Sequence, residues 1–414
     1  MTNNRIDIIR ADAPELAPYG THAIGVRTLD LVDRDRIDIL NIDWDTPSSE
    51  PLPRHDRHVT VEVWYPAKPG STGSTALPSY MRDGKTRIEL HGKAIRDAEP
   101  ETVGKPFPLV IVSHGHPGNR HLLGPISENI ASKGYVVVAI DHDGSSYHTF
   151  GPVKMAVFNR PLDQHFVLDQ MAAFTRDQAS FLCGLVDADN TAILGYSMGG
   201  YGALVSVGGG LTHEAIEARD TMLAVPHKLL ARFESGSKEY QAFVDPRYKT
   251  AILFAPAGTF HGVMNAETLK GIRIPALFVA GSVDSTVHYE DGVRQTWQDA
   301  VNSDRSLLTF VNANHNVGAP MGPPDEARGK SDPETGKSYE RHYLDAVWDS
   351  TRMNNISVHF ITAWLARYLR GDTTMDAYLD LGPTGDTVAT LPEWKGFPPE
   401  TTAGLRFERL EAGK

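Results

Sequence analysis

Apolar positions along the chain fall into two patterns. Six short runs are continuously apolar, most of them rich in β-branched residues: PLVIVSHG (108–115), GYVVVAIDH (134–142), TAILGYS (191–197), TAILFAPA (250–257), PALFVAGSVD (275–284) and SLLTFVNAN (306–314). Continuity of this kind predicts strands buried on both faces, as in a parallel sheet covered by helices. Two earlier stretches, HAIGVRTLDLVDRD and HVTVEVWYPA, alternate instead and predict antiparallel edge strands, joined by a polar loop containing DWDTPSSEPLPRHD. Between several runs the period changes to that of a helix. After Pro161, the spacing of Val167, Met171, Phe174, Phe181 and Leu185 predicts a helix with one apolar face. Near the end, Ile356, Phe360, Trp364 and Tyr368 predict another, stopped by Gly371 as the C′ residue.

Strand and helix alternation predicts one α/β domain over 1–414, with a mostly parallel central sheet, antiparallel N-terminal strands and helices on both faces. Two stretches break the rhythm. Residues 208–249 begin with three glycines and then turn helical, which suits a small helical lid or an ordinary surface excursion. Residues 316–340 are rich in Gly, Pro and charge and predict a long loop.

Composition narrows the function. The 414 residues are 41% hydrophobic and 22% charged, ordinary globular values. A formal charge of −12 without a basic cluster argues against a nucleic-acid partner. No stretch approaches the apolar length of a membrane span, and the N-terminus lacks a signal-peptide core, so the expectation is a cytoplasmic protein. The one cysteine, Cys183, excludes an internal disulfide and a thiolate cluster. Its apolar setting, FLCGLV, predicts a buried packing thiol.

The sharpest chemical signal is Gly195-Tyr196-Ser197-Met198-Gly199-Gly200, directly after a buried strand and before a small-residue segment able to start a helix. A nucleophilic serine on a sharp strand-to-helix turn needs neighbours without bulk, and the helix N-terminus behind it favours developing negative charge. Its hydroxyl needs a base, and the base needs an orienting acid, in the chain order Ser, acid, His. His315, after the run LLTFVNAN, is the candidate base. His213, His227, His261, His288, His342 and His359 are placed less well, His359 as a helix-surface or packing residue. Asp284, at the end of PALFVAGSVD, is the candidate acid, with Glu290 and Asp291 as fallbacks. The backbone N–H groups of Met198 and His116 are the candidate oxyanion donors. Tyr147, His148, Phe150 and Tyr196 are expected to line a substrate pocket. His114 and His116 have metal-ligand spacing, but the Pro-Gly turn that follows suits a loop, and no metal is expected.

These segments, VSHGHPGNRHLLGPISENIASKGYVVVAIDHDG, GYSMGG, LFVAGSVD and NANHN, together resemble the dienelactone hydrolase, platelet-activating-factor acetylhydrolase and bacterial cutinase-like branch of the α/β-hydrolases, over most of 20–375. The resemblance implies hydrolysis of a small-molecule ester through an acyl-enzyme, without a cofactor, and carries a triad onto Ser197, Asp284 and His315. Two departures stand out. The acetylhydrolases place the acid at the strand end where this chain has Ala255-Pro256, and dienelactone hydrolases use a cysteine where this chain has Ser197. An amidase or peptidase using the same residues, and a non-catalytic binding protein on this fold, are the alternatives.

Overall fold

The computed structural model describes residues 4–414 except 46, 48–49, 102–103, 222, 260–261, 319–320 and 383–392. The six continuous runs become β6 (Phe107–Ser113), β7 (Val136–His142), β8 (Val186–Tyr196), β9 (Tyr248–Phe254), β10 (Ala276–Gly281) and β11 (Arg305–Phe310). They pair in parallel, in the order β7-β6-β8-β9-β10-β11. Nearly every side chain in these runs is buried, which is why alternation is missing from their sequence.

The two alternating stretches form β1 (Ala23–Ile37) and β2 (Arg54–Ala67), an antiparallel pair. β2 is not an edge: it also pairs antiparallel with β7, and its second half, VEVWYPA, is buried almost throughout. A short hairpin, β3 (Ala76–Tyr80) and β4 (Arg87–His91), stands apart from the main sheet. β5 (Ile95–Arg96) lies beyond β1. At the far side β12 (Leu405–Leu410) runs antiparallel to β11 and completes, among the described residues, a ten-stranded sheet.

Helices cover both faces. α1 (Gly124–Ala131) packs with the long helix Ser350–Leu369, while α2 (Val153–Phe174) packs with α3 (Met198–Ser206). The predicted helix after Pro161 requires correction. α2 begins at Val153, runs through Pro161 and ends at Phe174, so Phe181 and Leu185 lie outside it. A proline inside a helix leaves the carbonyl four residues back without its amide donor. Here that carbonyl, Val157 O, accepts from the Tyr201 hydroxyl of α3 at 3.1 Å. The helix survives because a neighbouring helix supplies the missing donor. Cys183 is also corrected: it is exposed, in the turn after α2. The helix Ser350–Leu369 follows its predicted face, is followed by Gly371 at φ +69°, and is anchored to β9 by Trp364 Nε1–H donating to Thr250 Oγ1 at 2.7 Å.

Candidate active site

The sequence GYSMGG folds into a turn whose steric demands can be read atom by atom. Ser197 sits at φ +55°, ψ −116°, between the end of β8 and the start of α3. This is a conformation that L-residues rarely adopt. A Cβ on Gly195 would come within 2.4 Å of Gly199 O, and one on Gly199 within 2.0 Å of Ser113 O. A Cβ on Gly200 would lie 2.8 Å from Pro256 Cα. All three glycines are therefore required by backbone contact. The turn is pinned to β9 through Ser197 N–H donating to Phe254 O at 2.9 Å and Ala257 N–H to Ser197 O at 3.1 Å.

Asp284 lies just past β10, and His315 opens a 3-10 turn (His315–Gly318) a few residues past β11. The structure brings both to Ser197. His315 Nε2 is 3.0 Å from Ser197 Oγ, and His315 Nδ1 is 2.8 Å from Asp284 Oδ2. The other carboxylate oxygen, Oδ1, accepts from Thr286 N–H at 2.8 Å and Val287 N–H at 3.1 Å. Burial alone would raise the Asp284 pKa, but the His315 hydrogen bond and charge, with the two amides, hold it below its ordinary value. An ionised Asp284 keeps the proton on Nδ1 and leaves Nε2 to accept from the serine. Glu290 and Asp291 face elsewhere, both largely exposed and near Arg294 and His288 respectively.

Ser197 and His315 open into a cleft of about 810 Å³. Gly115, His116 and Tyr196 line it. So does the stretch after His315, including Asn316, Lys337, Arg341 and His342. Among the described residues, no part of 208–249 lines this cleft. That segment instead packs behind α3, with Tyr240 OH donating to Val205 O at 2.7 Å and Leu211 bridged to Glu234. The loop expected over 316–340 is the one beside the site.

The other residues singled out from sequence are dispersed. Tyr196 lies in the cleft wall with its ring 5.2 Å from that of His315. Tyr147 does not line the cleft; it is buried behind it, its hydroxyl bonded to His342 Nε2. His148 is outside the cleft lining too, stacked on Tyr80. Phe150 is 64% exposed and only leans on His116, ring centroids 5.1 Å apart. Of the weaker histidines, His213 pairs with Glu234 at the surface, His227 lies near Asp43 O, and His288 sits near Asp291. His359 is a buried packing residue accepting from Leu16 N–H. His261 lies outside the described residues. His342, among the histidines placed less well from the sequence, lies just past the predicted 316–340 loop and lines the cleft. Met198, first residue of α3, has an N–H in the unpaired first turn of the helix. His114 uses both ring nitrogens within the protein, Nδ1–H to Gly115 O and Nε2 accepting from His142 N–H. Among the described residues no group of three or more His, Cys, Asp or Glu is placed to hold a metal ion.

A second Ser–His–Asp array lies one strand away, unanticipated from sequence. Ser113 Oγ is 2.8 Å from His142 Nε2, and His142 Nδ1 is 2.8 Å from Asp163 Oδ2. Asp163 is further clasped by Arg57, Nε and Nη2 each at 2.8 Å. The environments differ. Ser113 is completely buried at the end of β6, whereas Ser197 keeps 8% of its surface and lines the cleft. Burial, with the nearby Arg160 charge, pulls the His142 pKa down to about 3. Neutrality alone would suit a base, but a hydroxyl with no exposed surface, outside the cleft lining, has no substrate to act on, and this makes the array a structural one.

An α/β-hydrolase fold with a hydrogen-bonded Ser–His–Asp array at the carboxyl edge of its sheet defines a serine hydrolase. Comparison with known proteins agrees at that level. The family model described as platelet-activating factor acetylhydrolase, isoform II, matches residues 51–160, and that of the prolyl oligopeptidase family matches residues 126–328. No curated protein matches the chain. Among solved structures, the chain is similar to the ferulic acid esterase from Streptomyces cinnamoneus, with a TM-score of 0.56 at 20% identity, over 90% of this chain and 96% of that one. At this identity the likeness speaks for the fold.

Proposed function

We propose that the chain hydrolyses carboxylic esters of small molecules through an acyl-enzyme on Ser197. The observation that carries this reading is His315 bridging Ser197 Oγ and Asp284, with His315 and Ser197 lining the cleft. Ser197 Oγ attacks the ester carbonyl carbon as its proton passes to His315 Nε2. The resulting oxyanion accepts from the N–H groups of Met198 and His116. The intermediate collapses as His315 returns the proton to the departing alkoxide. Water then attacks the acyl-enzyme, giving its proton to His315, and release of the acid restores Ser197. None of these steps calls for a cofactor.

Ester rather than amide cleavage is supported by the acetylhydrolase match over the loop that carries His116, and by a fold neighbour that acts as an esterase. The branch suggested by the sequence, between dienelactone hydrolases, acetylhydrolases and cutinases, is part of the same proposal. The prolyl oligopeptidase match spans Ser197, Asp284 and His315, and favours a peptidase as the second reading. Paired nitrophenyl esters and nitroanilides with the same acyl group separate the two. The expected result is turnover of the esters with little of the anilides, and covalent capture of a fluorophosphonate on the peptide containing Ser197. Preferential anilide cleavage would assign the peptidase reading, and capture at another residue would remove Ser197 from its role.

A further inference from the structure

Arg160 lies within α2 and is completely buried, yet no carboxylate stands within salt-bridge distance of it among the described residues. Asp163, one turn along the same helix, is taken by Arg57, Arg36 and His142. A guanidinium withdrawn from water needs strong acceptors. Those of Arg160 come from the ends of β6 and β7: it donates to His114 O and to Gly115 O at 2.8 Å in the loop after β6, and to Ser145 Oγ at 2.6 Å in the turn after β7, with Ser113 Oγ at 3.4 Å. Gly115 O is held a second time, by His114 Nδ1–H at 2.6 Å. Ser145 in turn holds the His116 ring through Nδ1 at 2.8 Å.

The carbonyl and N–H of a trans peptide point in opposite directions. With Gly115 O fixed toward the buried guanidinium, the N–H of His116 is directed away from it, toward the side on which Gly115, His116 and Ser197 line the cleft. The loop is close to the nucleophile there: a Cβ on Gly115 would stand 3.4 Å from Ser197 Cβ. Among the described residues the His116 N–H meets no protein acceptor. A carbonyl that accepts two hydrogen bonds also polarises its peptide, strengthening the N–H as a donor.

We propose that Arg160 is a positioning residue that orients and polarises the Gly115–His116 peptide as an oxyanion donor, with the buried Ser113–His142–Asp163–Arg57 chain as its backing. The proposal rests on the reading of Ser197 as nucleophile. Such a residue acts where charge develops on the carbonyl oxygen, so its loss falls on kcat and leaves KM in place.

The test compares wild type with Arg160→Met, Arg160→Lys and Ser145→Ala. Active sites are counted by the fluorophosphonate, so that misfolded protein is not scored as slow enzyme. Three quantities are read per titrated site: kcat, KM and the inhibition constant of a trifluoromethyl ketone, whose adduct carries the oxyanion. For Arg160→Met, kcat is expected to fall about 10²-fold, KM to stay within about threefold, and the ketone to weaken in parallel with kcat. Arg160→Lys should recover part of both losses, and Ser145→Ala should show a smaller loss of the same kind. If Arg160→Met does not fold, the other two variants carry the comparison. The proposal is overturned if kcat and ketone affinity per site stay within about twofold of wild type in the folded variants, or if KM alone changes. Failure of the fluorophosphonate to label Ser197 in wild type would instead strike the assignment of the nucleophile.

Discussion

Ser113, His142 and Asp163 repeat the hydrogen-bond order of Ser197, His315 and Asp284, with contacts of 2.8 and 2.8 Å in the first array and 3.0 and 2.8 Å in the second. What separates them is the surrounding medium. In the first array both ends are closed: Asp163 is clasped by arginines in the interior and Ser113 has no exposed surface. In the second, the acid is equally buried, but histidine and serine face a cleft, and the serine stands on a turn with positive φ. The same three side-chain types are shut inside the fold in one place and have an open cleft in front of them in the other. Hydrogen-bond geometry alone does not distinguish the two; access and backbone setting do.

The comparison breaks most sharply at the serines. Ser197→Ala is expected to lower ester kcat/KM by about 10⁴–10⁶ while the protein stays folded, and Ser113→Ala to lower it by no more than about tenfold. Steady-state kinetics beside circular dichroism reads both. Comparable losses in the two variants would merge the arrays.

The acids should divide in a different way. Asp284→Asn keeps the shape but lets the imidazole adopt the wrong tautomer, so kcat should drop by about 10⁴ with little change in the unfolding midpoint. Glu290→Gln and Asp291→Asn should remain near wild type. A loss under about tenfold in Asp284→Asn, some 1.4 kcal/mol, would show that the acid lies elsewhere. Asp163→Asn should do the reverse of Asp284→Asn in stability. It removes the closest counter-charge of the fully buried Arg57, leaving only Asp143 at 3.9 Å, and breaking such a buried pair typically costs about 3–5 kcal/mol, visible as a lower urea midpoint.

Acidity provides the smallest and most graded contrast. Burial holds His142 and His359 neutral, with pKa values near 3, and His165 near 4. Each lies below the value of about 6.5 in an unfolded chain, so between these limits the unfolded state binds more protons. The stability these residues contribute is complete above about pH 6.5 and is lost as pH falls toward 3. Urea unfolding measured at steps across this range should slope downward toward acid, and His142→Gln should flatten part of that slope. An unchanged slope in that variant would mean that His142 is not held neutral by its surroundings.

Much of this arrangement was legible in the chain. Continuous apolar runs mark strands covered on both sides, and all six entered the parallel part of the sheet. The glycines around Ser197 mark a turn with no room for Cβ atoms, and strand ends mark where Asp284 and His315 emerge. The second array was not legible for a physical reason. Charged residues such as Arg57, Arg160 and Asp163 face solvent in most proteins, and only tertiary packing turns them inward here. α2 buries residues all round its first half, so it carries no polar face to report its position, and the donor that tolerates Pro161 comes from another helix. β12 alternates clearly in LRFERL, a signal that could have been taken as a strand. The apolar residues of 208–249 fit a lid as well as a packing excursion, since amphipathicity does not say which surface it covers.

The stretch that begins with His315 also supplies much of the cleft wall, and its two ends are tied together: Asn314 N–H donates to Asp345 Oδ2 at 2.7 Å, and Asn316 Nδ2 to Arg341 O at 3.0 Å. On the proposed mechanism, recognition and proton transfer thus share one length of backbone. Many enzymes exchange specificity by swapping a loop far from the reacting groups. Here a graft that shifts those ties moves the imidazole along with the wall. Diversification of this scaffold is therefore confined to the part of the loop inside the ties, roughly from 321 to 340, where sequence and length can vary while the base keeps its place.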